Sequence, residues 1–285
     1  MRKIVLLLVF NRPEKTKQTL ENLRLVDGID DYELIVVRQE GSAEVKLLVE
    51  QIDWIKTYHY VTCYSPEITI KSKINNNMRY GLSIAFDEYK TDFVVVIEDD
   101  LLIGYDFLVF CEFIQGKYWH NPMFRAINAF SREPYDADRL AWYGRFHFGV
   151  GKGWSINKKV WNKLRKFWHE GVDEHFDVLI EPWIRKGFVV MPYCSRSVDI
   201  GWGGGSHTPE NENDPYYEAM KSSWTNIKPF QIRKYLLRKK MPYSWREDCT
   251  SYDFLHFVYQ LSKKITQEFL AESKRKIKQI WWRKS

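Results

Sequence analysis

Three consecutive carboxylates, Glu98, Asp99 and Asp100, follow the apolar run at 94–97. A run of four β-branched residues predicts a strand that is buried on both faces, so the acids come at its end. Adjacent acids repel one another, and a cation or a hydrogen-bonded hydroxyl group is needed to offset that repulsion. Oxygen ligands suit Mg²⁺ or Mn²⁺, which proteins bind through one or two carboxylates plus substrate phosphates. The triplet therefore predicts a divalent metal site, and a solvated acidic turn is the alternative.

The segments around this triplet predict how it is positioned. Apolar runs alternate with helical periodicity through the first hundred residues, and this βαβα rhythm predicts an α/β fold with a mostly parallel sheet and helices on both faces. The triplet then lies at the carboxyl edge of the sheet, where ligands bind in such folds. The predicted strands are 4–10, 33–37, 57–62 and 93–97, and the predicted helices are 16–25, 43–52 and 72–89.

The second half of the chain is less regular. Strand-like runs occur at 124–130 and 188–191, and helical periodicity occurs at 157–168 and 173–186. The stretch 201–215 is rich in glycine and polar residues, so it cannot pack a core and is predicted to be a mobile loop.

Composition limits the class of protein. The chain has 285 residues, of which 45% are hydrophobic, so it can bury a core and is not a disordered protein. Its four cysteines form no CxxC pair, which argues against a zinc ribbon or a disulfide scaffold and favours a reducing compartment. The apolar run 4–10 stops at Asn11, too soon for a bilayer span, and is interpreted as a buried strand instead of a signal peptide.

The net charge of +6 is distributed unevenly. Residues 1–227 carry 28 basic and 32 acidic side chains, a net charge of −4, whereas residues 228–285 carry 15 and 5, a net charge of +10. The chain is therefore predicted to have an acidic body, 1–227, and a basic, aromatic helical extension, 228–285.

The segment around the triplet, VIEDDLLIGYDF at 96–107, resembles the metal-binding stretch of the N-acetylglucosaminyltransferase I family of glycosyltransferases. In that family EDD replaces the DxD motif of other enzymes with the GT-A fold, and related bacterial proteins share the pattern. The resemblance is collinear over about residues 4–210. Its other segments are 10–13 (FNRP), 37–40 (VRQE), 73–80 (KINNNMRY), 148–154 (FGVGKGW), 176–183 and 195–208.

The resemblance implies a GT-A fold whose nucleotide-sugar half is about 1–115 and whose acceptor half is about 116–227. It implies that Arg12 contacts the nucleotide and that Glu40 contacts the uracil ring. Asn77 stands where the family has a base-contacting histidine, so the exact contact to the base differs here. Arg79 lies in the same segment and is predicted to help bind the nucleotide sugar.

The resemblance also implies roles within the triplet. Asp100 is predicted to ligate Mn²⁺ or Mg²⁺ directly, Asp99 to face the ribose or base, and Glu98 to face the donor sugar or to act behind the metal ligands. His207 is predicted as a further metal ligand, because many GT-A enzymes have one near this point and imidazole can bind Mn²⁺. The alternative is that His207 belongs to a lid and touches only phosphate.

The chemistry of sugar transfer needs a base for the acceptor hydroxyl group. The resemblance implies that Asp177 is this base, with Glu181 as its rival. The two acids are i and i+4 of a predicted helix, so they share a face and one can orient the other. A plain pair of helix acids is the alternative. Gly153 and Trp154, which close the glycine-rich segment, are predicted to lie on the acceptor side.

The basic extension interleaves cationic and apolar residues and ends with Trp281 and Trp282 near several bases. This pattern predicts peripheral contact with an anionic membrane and suits a glycan or lipid-linked acceptor. A helix docked on the body is the alternative. The predicted location is cytoplasmic, peripheral to the inner face of the membrane.

Taken together, these features predict a metal-dependent, inverting glycosyltransferase that uses a nucleotide-sugar donor, with UDP favoured. A homologue that binds nucleotide sugars without transferring them is the alternative. A nucleic-acid-binding protein using the extension ranks lower, because the body is acidic and no recognised motif accompanies the bases, so no nucleic-acid partner is expected.

Overall fold

The computed structural model describes residues 1–39, 41–55, 58–63, 69–131, 139–147, 149–169, 172–202, 213 and 245–248. Strands and helices alternate along the first hundred of these residues and follow one another less regularly after them. The strands are β1 Lys3–Val9, β2 Glu33–Gln39, β3 Tyr58–Cys63, β4 Phe93–Glu98, β5 Leu101–Ile103, β6 Phe124–Asn128, β7 Trp142–Phe146, β8 Trp154–Asn157, β9 Phe188–Pro192, β10 Ser197–Asp199 and β11 Arg246–Glu247. The helices are α1 Pro13–Leu23, α2 Ala43–Glu50, α3 Ile70–Ser83, α4 Phe107–Tyr118, α5 Lys158–Leu164 and α6 Phe176–Ile184.

A nine-stranded sheet forms the centre of the fold, in the order β11-β7-β9-β6-β8-β4-β1-β2-β3. β1 is parallel to both β2 and β4, and β2 is parallel to β3. Three strands run opposite to the others: β8, between β4 and β6, β7, beside β9, and β11, which is parallel to β7. The predicted α/β class with a mostly parallel sheet is confirmed.

Local sequence explains the first half of the fold. β1 and β4 are buried along nearly their whole length because both faces of the sheet are covered. Pro13 occupies the first turn of α1, where its missing N–H costs nothing. The side chain of Thr69 caps α3 by accepting a hydrogen bond from the amide of Ser72. The strands and helices predicted between residues 4 and 97 are present, with shifts of a few residues at their ends.

Several elements after β4 are absent from the sequence prediction. Helix α4 was missed because the apolar Val109 and Phe113 lie outside its buried face, which blurs the one-sided periodicity of the sequence. β5, β8 and β10 are three or four residues long, too short for an alternating pattern. The predicted helix 72–89 ends earlier as an α-helix, and a π-helical turn, Ile84–Glu88, completes it.

The extension 228–285 lies outside the described residues except for 245–248. Within those four, β11 pairs in parallel with β7 at the edge of the main sheet. Glu247 forms ion pairs with Lys117 and Arg145, which attach β11 to the body. The charge pattern assigned these residues to the extension, whereas the structure places them in the body. No helix in the described part of the chain is long and apolar enough to cross a membrane.

Candidate active site

The acidic triplet lies where β4 ends, between β1 and β8. In the parallel pairing of β1 and β4, Leu8 is opposite Glu98, so the residues that follow the two strands lie side by side. The turn after β1 therefore brings Phe10 and Arg12 next to Asp99 and Asp100. Neighbouring carboxyl ends of a parallel sheet produce this juxtaposition of residues nearly ninety positions apart.

Asp99 is the structural member of the triplet. Its carboxylate accepts hydrogen bonds from the amide of Phe10 at 3.0 Å and from the hydroxyl group of Thr16 at 3.4 Å. The hydroxyl group of Thr19 donates to the Asp99 carbonyl at 2.9 Å. These contacts hold the start of α1 against the end of β4. Contact of Asp99 with ribose or base stays a prediction.

Asp100 faces cationic and acidic neighbours. Its carboxylate forms an ion pair with Arg12, the residue predicted to contact the nucleotide. Its carbonyl accepts a hydrogen bond from the amide of Ile200 at 2.8 Å. This contact continues the antiparallel pairing of β5 with β10, in which Asp199 is opposite Leu101.

Asp199 is a site residue that sequence reasoning missed. It is 6% exposed, forms an ion pair with Lys152, and accepts a hydrogen bond from the amide of Gly201 at 2.7 Å. A Cβ atom added to Gly201 would lie within 3.0 Å of a carboxylate oxygen of both Asp100 and Asp199. The two carboxylates thus converge beside Gly201. The only signal in the sequence was that Asp199 falls inside the segment 195–208.

The buried ion pair between Arg196 and Asp106 holds this segment in place. Arg196 is fully buried, and its Nε donates to Asp106 at 3.0 Å. Its other nitrogens donate to the carbonyl oxygens of Cys194 and Leu140. A buried charge needs such complete pairing. Arg196 therefore fixes the chain that leads into Asp199.

Crowding of these acids changes their protonation. Burial first, and the charge of Asp100 second, raise the pKa of Glu98 to about 8. Burial and Asp100 likewise raise the pKa of Asp99 to about 7, and burial and Asp199 raise the pKa of Asp100. The pKa of Arg12 is also raised, because Asp100 and Asp99 outweigh the lowering effect of burial.

The site therefore has four crowded carboxylates, Glu98, Asp99, Asp100 and Asp199, and two cations, Arg12 and Lys152. The excess of negative charge and the convergence of Asp100 and Asp199 beside Gly201 fit a divalent cation. Among the described residues, no three or more His, Cys, Asp or Glu side chains are arranged as the ligands of one metal ion. Two carboxylates with substrate phosphates would suit Mg²⁺ or Mn²⁺. His207 lies outside the described residues.

A cavity of about 600 Å³ opens on one side of the triplet. Residues at the ends of β1, β2 and β4 and on one face of α3 line it. Among them, Gln39 is 7% and Asn77 is 8% exposed, and the Asn77 amide donates to the Gln39 side chain at 3.0 Å. The lining residues are Leu8, Val9, Phe10, Asn11, Arg12, Gln39, Ile70, Lys73, Ile74, Asn77, Glu98, Asp99 and Asp100.

Of the other two residues predicted to bind the nucleotide sugar, Arg79 is described and Glu40 is not. Arg79 does not line this cavity, and its Nε donates to the carbonyl of Trp168 at 3.0 Å. The face of α3 toward the cavity consists of Ile70, Lys73, Ile74 and Asn77. Arg79 comes two residues after Asn77, which is a rotation of about 200° around the helix, so it lies on the opposite face. Glu40 lies outside the described residues.

A second cavity, of about 490 Å³, opens between the turn before β8 and helix α6. Asp177 and Glu181 both line it, as does Lys152. Glu181 forms an i,i+4 ion pair with Arg185 at 2.7 Å. Among the described residues, Asp177 has no hydrogen-bond or ion-pair partner. The sequence prediction that these acids share one face agrees with their common place in this cavity.

The predicted acceptor-side residues have supporting positions. Gly153 has a φ of +85°, which favours glycine, and a Cβ there would lie 3.2 Å from that of Ala129. Trp154 is 1% exposed and stacks on Phe176 at a ring distance of 5.7 Å. Its ring therefore packs against Phe176 at the start of α6, and its place on the acceptor side stays a prediction.

Comparison with known proteins supports the resemblance found in the motifs. No protein-family model matches the chain. The Arabidopsis thaliana alpha-1,3-mannosyl-glycoprotein 2-beta-N-acetylglucosaminyltransferase is 23% identical over 182 residues, which cover 60% of this chain and 40% of that protein. The chain thus matches less than half the length of this relative.

Solved structures show the fold. S. aureus TarS 1-349 in complex with UDP-GlcNAc has a TM-score of 0.55 and 11% identity, over 84% of this chain and 71% of that chain. The mannosyltransferase PcManGT of Pyrobaculum calidifontis, in complex with GDP-Man and Mn²⁺, has 18% identity over 57% of this chain and 46% of that chain, but its TM-score of 0.40 is too low to support an argument. The chain has a GT-A fold, and its sequence resembles the N-acetylglucosaminyltransferase I family.

Proposed function

We propose that this protein is a metal-dependent glycosyltransferase that moves a sugar from a nucleoside-diphosphate sugar to a hydroxyl group of a glycan or glycolipid. One observation carries this proposal: an ion pair beside the acidic triplet links two cavities. The donor cavity is lined by Arg12, Asn77 and the triplet, and the acceptor cavity is lined by Asp177. Lys152 lines the acceptor cavity and is ion-paired with Asp199 beside Asp100.

The residues of the donor cavity suit a nucleoside diphosphate. Phe10 and Ile70 supply apolar surface, Gln39 and Asn77 supply neutral amide groups, and Arg12 supplies a cation. The preference for UDP follows from the sequence resemblance. Asp100 and Asp199 would hold the divalent cation, with His207 as a further predicted ligand. Such a cation, when bound, neutralises charge on the leaving diphosphate as a Lewis acid.

The acceptor cavity supplies the base. Asp177 is positioned at the start of α6 by the stack of Phe176 on Trp154. In the proposed inverting displacement, the acceptor oxygen attacks the anomeric carbon and its proton passes to Asp177. The bond from that carbon to the diphosphate breaks, and its electron pair stays on the phosphate oxygen. Asp177 is the better base because Arg185 already engages Glu181.

A donor screen tests the proposal. UDP-GlcNAc, UDP-Glc, UDP-Gal and GDP-Man are added with Mn²⁺, and the readouts are thermal stabilisation and release of nucleoside diphosphate. We expect one donor to stabilise the protein and to be slowly hydrolysed, and Asp100→Ala to abolish hydrolysis.

The control variant is Asp87→Ala, because Asp87 forms an exposed ion pair with Arg165 and lies in neither cavity. It should retain the wild-type rate. Stabilisation without hydrolysis or transfer would identify a binding homologue. If no donor binds, the proposal is wrong.

A further inference from the structure

Lys152 has an unusual backbone conformation. It has a φ of +52° within the turn Gly149–Gly153, and the glycines at 149, 151 and 153 also have positive φ values. A lysine is disfavoured in the left-handed region, so its surroundings must hold it there. The three glycines adopt positive φ values without strain. Lys152 is thus the residue of this turn whose backbone is held at an unfavourable φ.

Lys152 lines the acceptor cavity, and its ammonium group acts on acids of the donor cavity. It forms an ion pair with Asp199, and its charge acts on Glu98 and Asp100, which line the donor cavity. Lys152 also lines the acceptor cavity together with Asp177. The ammonium is therefore near the place where the proposed leaving group and the proposed base must meet.

The ion pair between Lys152 and Asp199 is weakened when a metal-bound donor enters the site. Lys152 neutralises Asp199, whose carboxylate converges with that of Asp100 beside Gly201. A divalent cation held by these two carboxylates brings its own positive charge to the oxygens that Lys152 contacts. Two cations at one carboxylate repel each other, so the ammonium is driven away from Asp199. The diphosphate that arrives with the metal is the nearest new anion.

We propose that Lys152 is a displaceable counterion, which neutralises Asp199 until a metal-bound donor arrives and then donates a hydrogen bond to the leaving diphosphate. This inference rests on the proposed function. Lys152 stays protonated throughout: the electron pair of the broken bond goes to the phosphate oxygen, the acceptor proton goes to Asp177, and the ammonium stabilises the charge that develops.

Mn²⁺ binding in the absence of any donor tests the first half of the proposal. Free Mn²⁺ is measured by electron paramagnetic resonance during titration of each variant. Removing the competing ammonium in Lys152→Met should tighten Mn²⁺ binding by about tenfold, within the range of coupling between two sites. Asp199→Asn should weaken it, and so should Gly201→Ala, whose added carbon would occupy the space beside both carboxylates.

Two further variants serve as controls for this test. Lys152→Gly also removes the ammonium but keeps a residue that suits the positive φ, so it separates loss of charge from loss of the turn. Lys46→Met removes a lysine from an exposed ion pair with Glu50 and should leave Mn²⁺ binding unchanged. Unchanged or weaker Mn²⁺ binding in both Lys152 variants overturns the proposal.

Turnover tests the second half. At saturating Mn²⁺, Lys152→Gly should lower the rate of the sugar-transfer step by roughly a hundredfold, as loss of one donor to a developing charge does. Lys152→Arg should restore part of this rate, and UDP should stabilise Lys152→Gly less than the wild type. An unchanged rate contradicts the role at the leaving group. If the wild type binds no donor, the proposed function fails, while the Mn²⁺ result still decides whether Lys152 is a competing cation.

Discussion

At the scale of single residues, the site is a balance between crowded acids and few cations. Glu98, Asp99, Asp100 and Asp199 share one region with Arg12 and Lys152. Backbone amides outside the group hold two of these acids, Phe10 for Asp99 and Gly201 for Asp199. The fold therefore tolerates a local excess of negative charge, which is a common property of sites that bind a cation.

The two acids of α6 give a prediction about the base. Asp177→Asn should lower kcat for transfer by about 10²–10⁴, the usual contribution of a general base, while the apparent affinity for the donor stays the same. Glu181→Gln should retain most of the activity, because its main partner is Arg185. Steady-state kinetics with the donor found in the screen measure both variants. If Glu181→Gln lowers kcat more than Asp177→Asn does, Glu181 is the base and Asp177 is not.

The raised pKa of Glu98 gives a prediction about stability. The folded protein holds this proton up to about pH 8, whereas an unfolded glutamate releases it near 4.5. The folded state therefore binds more protons in this window, and its free energy of unfolding should fall as pH rises from 4.5 to 8. Urea unfolding in EDTA at several pH values measures the slope. Glu98→Gln should flatten it, and an unchanged slope would show that Glu98 is not the group responsible.

Sequence reasoning found the residues that follow consecutive parallel strands. Arg12 after β1 and the triplet after β4 are brought together because neighbouring parallel strands end at one edge. Asn77 also reaches the donor cavity. Gln39, Lys152 and Asp199 were missed as site residues. Lys152 and Asp199 depend on the antiparallel placement of β8 and β10, which no local pattern encodes.

At the scale of elements, the turn Gly149–Gly153 and helix α6 line the cavity that we propose for the acceptor. The turn leads into β8, whose Trp154 supports α6 through Phe176. Predicting this arrangement from sequence would have required recognition of β8, which lies between β4 and β6 in the sheet. This strand has only four residues, too few for a clear pattern. The ring of Trp154 is buried, and the acceptor-side position of Gly153 and Trp154 stays a prediction.

Gly153 gives a prediction about this turn. Gly153→Ala should destabilise the protein by about 1–3 kcal/mol, the cost of holding a side chain at an unfavourable φ. The added carbon would also crowd Ala129. Urea unfolding measures the change, with Gly116→Ala as the control, because a Cβ at Gly116 in α4 meets no atom within 4 Å. Gly116→Ala should be neutral or slightly stabilising. Equal stability of the two variants would contradict this account of the turn.

At the scale of the whole molecule, charge separates the enzyme-like body from the extension 228–285. The described body contains the sheet and both cavities, and β11 shows that 246–247 belong to its edge. The membrane contact of the remaining extension stays a prediction, as does the location that depends on it.

Liposome flotation tests that prediction. The full chain should float with anionic liposomes at low salt, because clustered bases are attracted to an anionic surface and the terminal tryptophans suit its interface. A chain truncated at Leu261 should not float, and high salt should release the full chain. Equal flotation of both chains, or of neither, would refute membrane contact through this segment.

The pairing of β5 with β10 has a consequence for the order in which the site is assembled. Every residue that lines the donor cavity comes from the first hundred positions, whereas Asp199 reaches Asp100 only through a strand that begins at Ser197. Contacts between such distant residues form late, because the chain loses the entropy of closing a long loop before these contacts stabilise it. We expect a chain during synthesis to contain all the lining of its nucleotide cavity about a hundred residues before the carboxylate that completes its cation site.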